Sequence, residues 1–205
     1  MGNKESKSPK HIFFCAYKYD KKSLPSILVK DIIGLIMNNI ILINQRQWKQ
    51  LKDSSAYLLN KNTATLINNK DASCVRTAFM RIRDKPIWTI FKDSKDTSGY
   101  FQIACFSGPT KKDIRKSINS TSNFCSMPSG LLGLWVLGDY GFYDHQLQMT
   151  VDVTNKRFII KGKHYYFQNH ESLVEKDLVC IVLLTNHQVP LNSSITITDF
   201  CLKNT

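Results

Sequence analysis

The chain has no Cys-x-x-Cys pair, no apolar leader at its N-terminus and little arginine, and each shortage removes a class of protein. Cys15, Cys74, Cys105, Cys125, Cys180 and Cys201 are scattered widely, which fits neither a zinc ribbon nor a disulfide-stapled secreted domain. Free thiols in a reducing compartment are expected. Acids are scarce as well: 16 Asp and Glu stand against 28 Lys and Arg, for a formal charge of +12 and a pI near 9.4. That balance points to acidic partners, the phosphates of lipid or of nucleic acid.

Groups that carry catalysis are also few. Asp139, Asp144 and His145 lie close together in Gly-Asp-Tyr-Gly-Phe-Tyr-Asp-His, but without a nucleophile elbow or a phosphate-cradling Gly-rich loop they read as a turn. His164, His170, Cys180 and His187 lack the close paired spacing of a zinc site. The expectation is a protein that is not an enzyme and takes no metal or cofactor. The most apolar stretch, Ile27 to Ile43, is interrupted by Lys30, Asp31, Gly34, Asn38 and Asn39 and is too short to span a bilayer comfortably. It is expected as a core helix or an interfacial segment.

What the sequence does contain begins at its first residues, Met-Gly-Asn-Lys-Glu-Ser-Lys. Removal of Met1 exposes Gly2, Asn3 is small, and Ser6 takes the favoured fifth place of the mature chain, the pattern of an N-myristoylation signal. One acyl chain holds a protein to a bilayer only marginally, so stable attachment needs a second contribution. Lys4, Lys7, Lys10, Lys18, Lys21 and Lys22 supply it, each cation adding roughly 1 kcal/mol near an anionic leaflet. Lipidation is therefore assigned to Gly2 and membrane binding to these lysines. Residues 1–10 are read as a basic arm and residues 11–205 as one globular domain.

The texture changes about a third of the way along. His11 to Tyr19 reads as a strand, Ile27 to Asn38 as an apolar helix, and Trp48, Leu51, Leu58 and Leu59 fall on one face of a helix from Gln45 to Leu59. After a weak strand at Thr63 to Ile67, short aromatic or branched runs follow to the C-terminus, from Cys74 to Ile82 through Leu178 to Leu184 and Ser194 to Cys201. Thr154-Asn155-Lys156 and Lys161-Gly162-Lys163 read as hairpin connections, which imply antiparallel pairing. Ser107 to Ser129 is the one long polar insertion, expected as an exposed loop. The pattern predicts an α+β fold, an N-terminal strand and two helices packed on a mainly antiparallel sheet, with an all-β jelly roll as the alternative.

Two basic groups are the functional candidates in this region. Lys111, Lys112, Arg115 and Lys116 surround a single Asp113 in the polar insertion, where one helical turn would present the cations together. Lys156, Arg157, Lys161 and Lys163 are interleaved with Phe158, Tyr165, Tyr166 and Phe167, and plain phosphate attraction is the expectation there, with the aromatics in cross-strand packing. Both groups are assigned to nucleic acid or phosphate.

An acylatable, basic, compact chain without a catalytic kit resembles a viral matrix protein. The order of strand Ile12 to Tyr19, helix Ile27 to Asn38, helix Gln45 to Leu59 and strand Cys74 to Arg83 is similar to the N-terminal core of rhabdovirus matrix proteins. That resemblance implies a self-associating structural protein of the virion and the host cytoplasm, peripheral on the cytosolic face of membranes and bridging them to a ribonucleoprotein. Two other classes remain open. The short strands to the C-terminus resemble those of single jelly-roll capsid proteins, in which a basic surface meets the genome, and a membrane-tethered β-sandwich adaptor is a third reading.

Overall fold

The computed structural model describes residues 26–51, 56–68, 74–94, 101–120, 129–137, 146–168, 173–185 and 189–202. Contacts divide the chain into two compact units, Met1–Ile43 and Asn44–Thr205. In the first unit the described element is helix α1, which runs from Ser26 to Gln45, seven residues beyond the predicted end at Asn38. Among its apolar side chains, Ile32, Leu35 and Ile43 are exposed, and their spacing places them on one face of the helix. No described helix is long and apolar enough to cross a membrane. The predicted strand at His11 to Tyr19 lies outside the described residues.

The second unit overturns the α+β expectation, because its framework consists of two antiparallel sheets. One sheet contains β1 (Lys49–Gln50), β4 (Cys74–Arg76), β12 (Leu178–Thr185), β7 (Phe101–Gly108) and β8 (Leu131–Leu137) in that order, with β5 (Met80–Arg81) also pairing with β12. The other runs β11 (Lys163–Tyr166), β10 (Arg157–Ile160), β9 (Gln146–Asp152), β6 (Pro86–Asp93), β13 (Ser194–Leu202), β3 (Thr63–Leu66), β2 (Tyr57–Asn60). The nested partners β4-β12-β7-β8 and β3-β13-β6-β9 make two four-stranded layers between which the chain passes repeatedly. This is the jelly-roll order, the all-β alternative of the sequence reading. A two-residue β1, β2 and the β10–β11 hairpin extend its edges.

The predicted helix from Gln45 to Leu59 does not form. β1 and β2 take its place, and the Trp48 indole donates to the Ile195 carbonyl at 3.0 Å instead of facing a helical partner. The decisive local signal was the turn that follows: Asn60 pairs with Thr63 around Lys61 at φ 52°, so β2 and β3 close a two-residue hairpin. Cross-strand pairing satisfies the backbone over a region whose apolar spacing alone suggested a helix.

The two sheets differ in composition because only one has a wet face. On β6 and β9 the buried residues alternate, Trp88 and Ile90 against Thr89 and Phe91, and Leu147, Met149 and Val151 against Gln146, Gln148 and Thr150. β7 and β12 are nearly continuous apolar runs, buried on both faces. Their second cover is helix α2 (Lys111–Ser120), which lies in the expected loop Ser107 to Ser129. Thr110 caps it: the Asp113 amide donates to Thr110 Oγ1 at 3.2 Å, and that hydroxyl donates to Asp113 Oδ2 at 2.6 Å. Ile114 and Ile118, one turn apart, then pack on Ala104, Phe106, Cys180, Val182 and Leu184.

Two smaller features set the register. A bulge between Ile197 and Asp199 reverses the alternation of β13, so Asp199 is exposed and Phe200 buried, where unbroken alternation would put Asp199 on the buried face with Ile195 and Ile197. Gly130 enters β8 at φ 86° with its α-carbon against the Ser107 carbonyl, where a side chain has no room.

Candidate functional site

The two basic groups occupy different layers of the sandwich. Lys111, Lys112, Arg115 and Lys116 stand on the outward side of α2, whose other side is fixed by Ile114 and Ile118. The capped, amphipathic helix thus presents four cations to solvent on the outside of the first sheet. Asp113 is the one acid in its first turn, and it is held by Thr110.

Sequence reasoning missed that this surface extends into β4 and the segment after it. The Arg76 guanidinium lies 4.2 Å from the centroid of the Phe79 ring, and Lys111 Nζ and Arg115 Cζ each lie 6.0 Å from the same centroid. Arg76 is on the outer side of its sheet, paired in register with Val182, and only 8% exposed. Burial, the largest influence, lowers its proton affinity; Cys180 acts in the opposite direction and Arg115 reinforces the lowering. The available signal was strand alternation, since Val75 pointing inward places Arg76 outward, beneath whatever covers the sheet.

The second group is partly committed to structure. Arg157 contacts His164 Nδ1 at 3.0 Å and lies 3.8 Å from Asp152, whose other contacts fix Asn155 in the β9–β10 turn. Phe158 meets Phe167 at 5.1 Å and Trp135 at 6.5 Å, and Tyr165 stacks against Trp135 at 4.1 Å, so these aromatics join the two sheets. Gly133 on β8 leaves space for the Phe158 ring. Tyr166 remains 68% exposed. Lys161 and Gly162, at φ 47° and 74°, form the two-residue turn from β10 to β11, and Lys163 follows. Lys156 sits in the preceding turn at φ 53°.

Beside that hairpin, the wet face of the second sheet holds a shallow cleft of about 310 Å³ lined by Gln146, Gln148, Thr150, Ile159 and Lys161. Amide, hydroxyl and ammonium groups there offer hydrogen bonds to a polar ligand. Asp139, Asp144, His145, His170 and His187 lie outside the described residues, as do Gly2, Lys4, Lys7, Lys10, Lys18, Lys21 and Lys22. Among the described residues no three His, Cys, Asp or Glu side chains group as a metal site. Cys180 is sealed beneath α2 and Cys105 on the opposite face of the same sheet; burial pushes the Cys180 thiol up to about 12 and raises Cys105 well above its ordinary value. Neither is a nucleophile near neutral pH.

No family model matches this chain. No curated protein matches it either. Among solved structures it is similar to a sialidase at 12% identity and a TM-score of 0.39, over 80% of this chain and 19% of that one. It is also similar to an alginate lyase solved in complex with dimannuronate, at 10% identity and a TM-score of 0.34, over 80% of this chain and 91% of that one. The chain thus spans about a fifth of the sialidase it matches.

Proposed function

We propose that this chain is a non-catalytic structural protein of the matrix kind. An acylated, basic N-terminus brings it to the cytosolic face of membranes, and its jelly roll holds a phosphate-bearing partner, nucleic acid or a ribonucleoprotein. The observation that carries the reading is the outward face of α2, where Lys111, Lys112, Arg115 and Lys116 stand together and form no salt bridge among the described residues. Cations left unpaired on a rigid, capped helix are available to phosphates. Lys161 and Lys163 on the β10–β11 hairpin add a second, smaller contact.

The membrane half draws on α1 as well as on the N-terminal signal. Ile32, Leu35 and Ile43 form an exposed apolar stripe suited to lying in a headgroup layer. Labelling with a myristate analogue is expected to mark the wild type and spare Gly2→Ala. Flotation on anionic vesicles is expected to weaken with salt, and equal flotation on neutral vesicles contradicts the polybasic contribution.

The jelly-roll strand order favours a second reading, a capsid protein whose basic surface meets the genome. Closed particles from the chain expressed alone, seen by electron microscopy, would select it. Fold by itself does not decide between the two, because this architecture serves unrelated tasks.

A further inference from the structure

The charges around Phe79 are arranged in a way that the fold alone does not require. Arg76 is buried beside α2, and its Nη1 donates to the Thr77 carbonyl at 2.9 Å while Nε has no hydrogen-bond partner. Arg115 and Lys111 converge on the same ring from the helix, and none of the three cations meets a carboxylate among the described residues. Burying a guanidinium without a counter-charge is unfavourable, and two further cations nearby increase the penalty. The face of an aromatic ring offsets only part of it. An anion that enters between them would remove the rest.

We propose that Arg76, Arg115 and Lys111, gathered over Phe79, form a discrete site for a phosphomonoester dianion. The proposal rests on the reading of α2 as a phosphate-facing surface and adds to it, at the edge where the helix meets Phe79, one site with its own ligand chemistry. Three cations exceed the single charge of a backbone phosphodiester and suit the two charges of a terminal phosphate. The planar guanidinium forks of Arg76 and Arg115 can each grip two phosphate oxygens, and Lys111 adds a point charge. Phe79, half-buried and packed against the apolar cluster of Ile114, Ile118, Cys180 and Val182 beneath the helix, provides the floor.

The test uses the full chain, with thermal unfolding and calorimetric titration in inorganic phosphate against chloride of equal ionic strength. Phosphate is expected to raise the melting temperature of the wild type and of Lys61→Asn, an exposed charge in the β2–β3 turn of the other sheet. Arg76→Met is expected to melt in chloride at or above the wild-type temperature, since the unpaired charge is gone. It should lose the phosphate-dependent rise, with affinity down about tenfold or more. Should Arg76→Met fail to fold, Arg115→Gln on the exposed side of the helix carries the same expectation.

Two further arms identify the source of the phosphate. A soluble inositol phosphate and phosphatidylcholine vesicles doped with a phosphatidylinositol phosphate should both bind in an Arg76-dependent way if the ligand is a headgroup, whereas the soluble compound alone binding indicates a free phosphomonoester. An unaltered phosphate response in both Arg76→Met and Arg115→Gln would overturn the site. So would tighter, equally Arg76-dependent binding of single-stranded RNA that lacks terminal phosphates. A phosphate response that persists although the acylated wild-type chain fails to float on anionic vesicles supports the site while removing the membrane reading.

Discussion

Cys180 shows how a single side chain can report on the packing of α2 against its sheet. Its thiol lies on the face of β12 that α2 covers, close to Arg76, yet burial outweighs that nearby cation and raises its pKa to about 12. A thiol in an unfolded chain ionises near its ordinary value of about 8.5. Above that pH the unfolded state has lost a proton that the folded state keeps, so stability falls as pH rises from there to about 12. The slope is about 1.4 kcal/mol per pH unit for such a group. Urea unfolding of wild type and Cys180→Ala at pH 8 and pH 10 should show the gap between them narrowing at the higher pH. A constant gap would mean that the thiol is reached by water.

At the scale of elements, α2 is the decisive one. It converts one face of the first sheet from surface into core, and Ile114 is its fully buried anchor. Ile114→Ala should cost about 2–5 kcal/mol in chemical denaturation and weaken phosphate binding as the helix loosens. A loss of less than 1 kcal/mol would imply that the helix is not seated on β7 and β12. This helix is legible in part: the Lys111 to Lys116 cluster predicts one helical turn, and the Thr110–Asp113 cap and the Ile114–Ile118 spacing carry it on to Ser120.

The strands were clearer because period-two alternation and turn residues agree, as in the two-residue turn at Lys161 and Gly162 and the run Leu147, Met149, Val151. β2 was hidden by an apparent helical face from Trp48 to Leu59, which only pairing with β3 resolves. The bulge after Ile197 left no mark in the sequence beyond an Asp in an apolar strand. Arg76 and Phe79 were invisible as site residues for a related reason. They lie some 35 residues from α2 in sequence, and long-range pairing of β4 with β12 is what brings them under the helix.

Across the whole molecule, the proposed function draws on three features that are separate in sequence: a basic terminus with the pattern of an acylation signal, an apolar helix with an exposed stripe, and a jelly roll with cations on α2 and on the β10–β11 hairpin. The chemistry proposed to unite them is affinity for phosphate-rich surfaces, with the sandwich as support. The most direct test is co-flotation of the acylated full chain with anionic vesicles and labelled single-stranded RNA. The account predicts that RNA rises with the vesicles only when protein is present, that Gly2→Ala leaves both protein and RNA at the bottom, and that reversing the α2 charges with Lys112→Glu and Lys116→Glu leaves the RNA behind while the protein still floats. RNA that stays at the bottom while the wild-type protein rises would contradict it.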